Sequence, residues 1–187
     1  MKKLGTVLLL SCLITGCTTT VKTSTSPKII ETIQPQNNIP SFFHLSILKD
    51  VNWEESPSFQ HDKISVKGIQ DKVAIVDATW IANQPNKYMW VFLNSNIPSG
   101  KLTVIAIKQG STKPVPVLFQ DEITGNVWTA PQEITKDITS IPSSMLLPSS
   151  GLWLLNVYIG EKLYGQIVVH VEESNKVKLP SVGPTDG

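Results

Sequence analysis

The chain has 187 residues, 41% of them apolar and 17% charged, which suits one packed domain with extensions better than two independent cores. Sixteen basic side chains against fifteen acidic ones leave a formal charge of +1, which provides no field to attract nucleic acid or an anionic membrane face. Both cysteines, Cys12 and Cys17, lie near the start, so the remainder can build neither a disulfide nor a thiolate metal site and must hold by packing alone.

Lys2 and Lys3 form a short cationic start, and residues 4–14 are an apolar stretch of about eleven, the length of a signal-peptide core and too short to span a membrane. Leu13-Ile14-Thr15-Gly16-Cys17 follows: an aliphatic residue at minus three, small residues at the cut and a cysteine. It resembles the bacterial lipobox, which implies recognition by signal peptidase II at Leu13, Ile14, Thr15 and Gly16 and a diacylglyceryl thioether on Cys17. A thiolate is the nucleophile for that alkylation, and two acyl chains suffice for stable anchoring where one is marginal. The expectation is a lipoprotein held on the extracytoplasmic face of the cell membrane, with residues 1–16 removed.

Residues 17–40 are rich in Thr, Ser, Pro, Gln and Asn without a sustained period, and read as a flexible tether. As a random coil it would span roughly 25 to 30 Å. Residues 41–62 are too apolar for an exposed linker and read as a docking segment, a short helix or strand with Trp53 and Phe59 as anchors.

From residue 63 the pattern is that of strands. Lys63-Ile64-Ser65-Val66-Lys67 alternates polar and apolar, and β-rich runs follow at 73–81, 88–93, 102–108 and 115–120. Turn formers separate them, Gly68 with Asp71 first among these. Pro142 and Pro148 bracket residues 143–147, which favours a crossing loop over a central strand. Two long apolar runs, 152–159 and 163–171, flank Gly160 and predict an antiparallel hairpin, with Ile167, Val169 and Val171 facing the core and Gln166 and His170 facing out. The sum is an all-β domain over 63–173, an immunoglobulin-like antiparallel β-sandwich of seven to eight strands, with a partly open barrel as the alternative and a disordered tail over 174–187.

Several stretches carry a resemblance: Trp53-Glu54-Glu55-Ser56-Pro57-Ser58-Phe59, Lys87-Tyr88-Met89-Trp90-Val91-Phe92, Pro142-Ser143-Ser144-Met145, and the closing hairpin from Gly151-Leu152-Trp153 to Gln166-Ile167-Val168-Val169. They resemble Gram-positive surface lipoproteins with a C-terminal immunoglobulin-like domain of unknown function. The resemblance covers about residues 51–173 and implies the fold and the extracellular address, and it brings no catalytic residues. Where such proteins usually carry phenylalanine before the hairpin glycine, this chain has Tyr164.

Catalytic patterns are missing. His44, His61 and His170 are far apart with no HxH or HExxH pairing, so neither a metal site nor a cofactor is implied. The doublets Glu54-Glu55, Asp121-Glu122 and Glu172-Glu173 point to opposite faces if they lie on strands, and no GxSxG or SxxK is present. Trp90 and Trp153 read as core, while Trp128, after Thr124-Gly125-Asn126, reads as an exposed ligand platform together with Tyr88. The functional expectation is a monomeric, noncatalytic binding or accessory module for an envelope protein or other cell-envelope partner. The alternatives are a cell-wall glycan binder using Trp128 and Tyr88, and an enzyme gathering Asp77, Asp121 and His61.

Overall fold

The computed structural model describes residues 38–174; the signal peptide, the lipobox, most of the tether and the tail beyond 174 lie outside the described residues. Two sheets face each other. The first runs from edge to edge as β1 (Ser58–His61), β2 (Ile64–Ile69), β3 (Val73–Val76), β5 (Asn86–Phe92), β11 (Ser140–Met145), β8 (Leu118–Asp121) and β9 (Gly125–Val127). The second runs β10 (Thr129–Ile134), β6 (Gly100–Lys108), β12 (Gly151–Ile159), β13 (Lys162–Glu172) and β4 (Trp80–Ile81), with β7 (Val115–Pro116) also on β6. Every pairing is antiparallel except β4 with β13.

The all-β sandwich stands, and the described residues form thirteen strands where seven or eight were expected. Two sequence runs each serve both sheets. Residues 73–81 divide into β3 and β4, and residues 115–120 into β7 and β8, so the chain steps across the core inside each run. Gly68, expected in a turn, lies within β2 because a side chain there would come 2.5 Å from the Val73 carbonyl oxygen; the turn itself is made by Asp71 at φ 61°.

The expectation of a crossing loop at 143–147 is also corrected, since β11 lies between β5 and β8 and contains Pro142. Phe92 N donates to Thr139 O, and the alternation of an antiparallel ladder then makes residues 141, 143 and 145 the ones bonded to β5. Pro142 therefore turns its donorless nitrogen toward β8, which pairs with β11 only at Met145. The proline costs no ladder bond.

Between the sheets lies the main core. Trp90 and Trp153 are both in it, with Ile75, Phe92, Leu102, Val104, Leu155 and Val157. Trp153 donates its indole N–H to Ser149 O at 2.8 Å. The closing hairpin is as the pattern predicts: Ile159 pairs with Lys162 across a two-residue turn, Ile167, Val169 and Val171 are buried in the core, and His170 is exposed.

The outer face of the second sheet is buried as well. Residues 41–53, with a 3-10 turn at Leu45–Leu48, cross it and form a second apolar cluster in which Phe43 packs with Ile105, Ile107, Trp128 and Tyr158. Trp53 belongs to this cluster, whereas Phe59 lies on β1 against Val66, Ala74 and Val91 of the first sheet. The two anchors of the docking segment thus hold different sheets. Under the segment Asn156 is 0% exposed, and its amide is bonded at both ends: Nδ2 donates to Ile105 O at 2.9 Å, and Oδ1 accepts from Gln166 Nε2 at 2.9 Å.

Asn156→Ala removes both of those bonds from a dry layer and should lower the unfolding free energy by about 2 kcal/mol. Gln166→Ala, at a half-buried position, should cost less. Urea titration of the two variants measures the difference, and an equal cost would show that the buried amide is not the anchor.

Candidate functional site

A cleft of about 640 Å³ opens on the outer face of the first sheet. Its floor is apolar and comes from strand parity. On β2 and β5 the residues that alternate with the core-facing set are Ile64 and Met89, which are 43% and 37% exposed, with Val91 and Leu93 beside them. One wall is the β1–β2 turn, where Asp62 and Lys63 both take positive φ and bring His61 opposite Ile64. The other wall is the β10–β11 turn with Lys136 and Asp137. His61 Nε2 stands 3.5 Å from Asp62 Oδ2 at the rim. Such a surface can take an apolar group flanked by polar contacts.

A second, smaller hollow of about 340 Å³ is polar and lined by Glu55, Lys67, Asp77, Thr79, His170 and Glu172. Its lysine is already paired. Lys67 Nζ bonds Glu55 and stands 3.4 Å from Asp77, which also accepts from Ser58 Oγ at 2.7 Å. Burial alone would lower the Lys67 pKa, but the hydrogen bond it donates to Glu55 and the charges of Asp77 and Glu55 outweigh it, and the net shift is upward. The group fastens the docking segment to β2 and the β3–β4 connection.

The predicted site residues fall as follows. Trp128 is 9% exposed and packed beneath the docking segment with Phe43 and Tyr158, so it offers no exposed platform. Tyr88 is 3% exposed and stacked on Trp80, with ring centroids 3.7 Å apart and an interplanar angle of 9°. Its face is occupied, which corrects the second half of the platform reading. The signal was present in the sequence: Tyr88, Trp90 and Phe92 alternate along one strand and share the inward face. The same alternation pushes Met89 outward, and that is the residue the sequence reading passed over.

Asp77, Asp121 and His61 are not brought together. His61 is on edge strand β1 and Asp121 on β8, five strand spacings away or about 24 Å. Asp121 closes its own turn: Oδ1 accepts from Ile123 N at 2.9 Å and Thr124 N at 2.7 Å, and Oδ2 accepts from Thr124 Oγ1 at 3.1 Å. The backbone bond from Thr124 leads the contributions that hold its pKa down. Among the described residues no group of three or more His, Cys, Asp or Glu side chains is arranged to hold a metal ion, and no helix is long and apolar enough to cross a membrane.

Residues 42–169 match a domain of unknown function, DUF4871, and the chain belongs to that family. It is also similar to a protein of known crystal structure, a candidate lipoprotein from Bacillus anthracis, at 52% identity and a TM-score of 0.70 over 74% of this chain and 100% of that one. No curated protein matches it significantly.

Burial pushes the Tyr88 phenol up to about 12, against a smaller opposing pull from the Asn86 side chain. Because the folded pKa lies above the ordinary tyrosine value, the folded state keeps a proton that the unfolded chain releases, and stability should fall as pH rises from about 10 to about 12. Tyr158 and Tyr164 shift in the same direction through burial, so Tyr88→Phe should reduce this alkaline slope without abolishing it. Melting temperature against pH for the two chains is the measurement, and an unchanged slope would contradict the assignment.

Proposed function

We propose that this DUF4871 family member is a lipid-anchored, extracytoplasmic binding module that engages a protein partner through the cleft on its first sheet. The observation that carries the reading is the unequal treatment of the two outer faces. The second sheet is covered by residues 41–53 of its own chain, whereas the first leaves Ile64 and Met89 open in a concave surface.

The strand order supports an immunoglobulin-like reading of the sandwich. One N-terminal run serves both sheets, pairing antiparallel with β5 through β3 and parallel with β13 through β4, while β6, β12 and β13 form a contiguous three-strand face. The described titratable groups support a noncatalytic role, since Lys67, Asp77 and Asp121 are occupied in holding segments and turns.

Anchoring rests on Leu13-Ile14-Thr15-Gly16-Cys17, and the likeness to a Bacillus anthracis candidate lipoprotein supports it and a Gram-positive envelope. The glycan reading has lost Trp128 and Tyr88 as stacking surfaces, and an apolar floor suits a protein side chain better than a sugar ring.

Two substitutions separate address from binding. Cys17→Ala should release the chain from the membrane fraction with its melting temperature unchanged. Met89→Asp, on the solvent face of β5, should keep the chain in the membrane fraction and reduce cross-linked partner recovered from intact cells at least about tenfold, the cost of one hot-spot side chain. Recovery equal to that of the unsubstituted chain would remove the cleft from the proposal, and unaltered membrane attachment of Cys17→Ala would remove the anchor.

A further inference from the structure

We propose that residues 41–53 form a lid that lifts from the second sheet while the sandwich beneath stays folded, uncovering an apolar face of Ile105, Ile107, Trp128 and Tyr158. The inference stands apart from the cleft on the first sheet and does not require it.

Four observations carry it. The apolar cluster under the segment is separate from the main core, so its exposure leaves the packing between the sheets intact. The segment adds no strand to the sheet it covers. Its backbone bonds are local, Phe43 N to Pro40 O, Ile47 N to His44 O, Lys49 N to Ser46 O and Val51 N to Leu48 O, and the sheet reaches it through a long bond, Gln166 Nε2 to Ile47 O at 3.4 Å. Only Phe43 is buried within the segment, and Leu45 is 46% exposed.

The third observation concerns what remains when the segment leaves. β6, β12 and β13 pair along their lengths without it, and Asn156 keeps its bonds to Ile105 O and to Gln166. Lifting therefore leaves the Asn156 amide bonded at both ends, and the strand pairing of the opened face does not depend on the lid. The fourth is a firm hinge. Ser56 N donates to Val168 O at 2.9 Å, Val168 N donates to Ser56 Oγ at 2.9 Å, and Glu55 pairs with Lys67. Peeling that begins at residue 41 stops there. Because residue 41 is the end of the lid that continues toward Cys17, a pull or a partner acting on that side of the chain reaches the lid before the sandwich.

The test is thiol accessibility in the full chain, with the unsubstituted protein as the baseline for Cys12 and Cys17. Ile105→Cys lies under the lid and Leu155→Cys lies between the sheets, both at positions with no exposure. Under native conditions a thiol reagent should modify the cysteine at 105 at least about a hundredfold faster than the one at 155, as local opening outpaces global unfolding. Adding Phe43→Ala should raise the rate at 105 about tenfold and leave 155 unchanged. Equal rates at the two positions, both tracking global unfolding, would overturn the proposal.

Native-state trypsin digestion of the unsubstituted chain gives a second reading should either variant fold poorly. Cleavage after Lys49 should precede cleavage of β6 after Lys101 and Lys108. Simultaneous cleavage at all three would overturn the lid.

Discussion

The structure depends on the burial of β6 and β12 from both sides. In a free-standing sandwich each sheet has one face on the core and one in water, and its strands alternate accordingly. Here Leu102, Val104 and Ala106 face the first sheet, and Ile105 and Ile107 on the opposite face are equally dry. Left open to water, the second face costs free energy, and a covering segment relieves that cost. The chain supplies the cover from its own N-terminal side, and the polar groups in that layer then have to be bonded. Thr103 meets Thr129 with the hydroxyl oxygens 2.7 Å apart, and Asn156 reaches Ile105 O and Gln166.

From that one requirement the asymmetry of the molecule follows. Residues 41–53 are spent on the second sheet, and the chain then passes Ser56 at β13 and becomes β1 at the edge of the first. Nothing among the described residues crosses the outer face of the first sheet, where Phe59, Val66, Ala74 and Val91 make a small cluster and Met89 and Ile64 remain partly open. Among the described residues, cover on one side and an open apolar floor on the other follow from the path of residues 41–53 over the second sheet.

The ionisable side chains fit the same picture. A catalytic group needs a neighbour that tunes it and a space in which a substrate can sit. Lys67, with its raised pKa, has its neighbours, Glu55 and Asp77, but they neutralise it and tie down the docking segment. Asp121 is tuned by the turn it closes and is fully solvated. The buried tyrosines resist ionisation because their rings are packed, Tyr88 against Trp80 above all. These are marks of groups used for assembly.

The sequence by itself determined what depends on neighbours along the chain. The lipobox expected at Cys17 rests on a run of five residues, and the hairpin of β12 and β13 is readable because period-two alternation and a glycine turn are local signals. Parity also held the answer for Tyr88, which shares its face with Trp90 and Phe92, although a tyrosine in a strand invites thoughts of ligands. Only the tertiary structure decided the rest. Pro142 obeys a local rule against central strands, yet it sits in one because β8 pairs with β11 at a single residue and leaves the proline nitrogen nothing to bond. Trp128 follows a turn and reads as exposed until Phe43, eighty-five positions away in the chain, is laid over it. The physical reason is the same in both cases: local pattern tells which way a side chain points, while exposure depends on what distant segment arrives on that side.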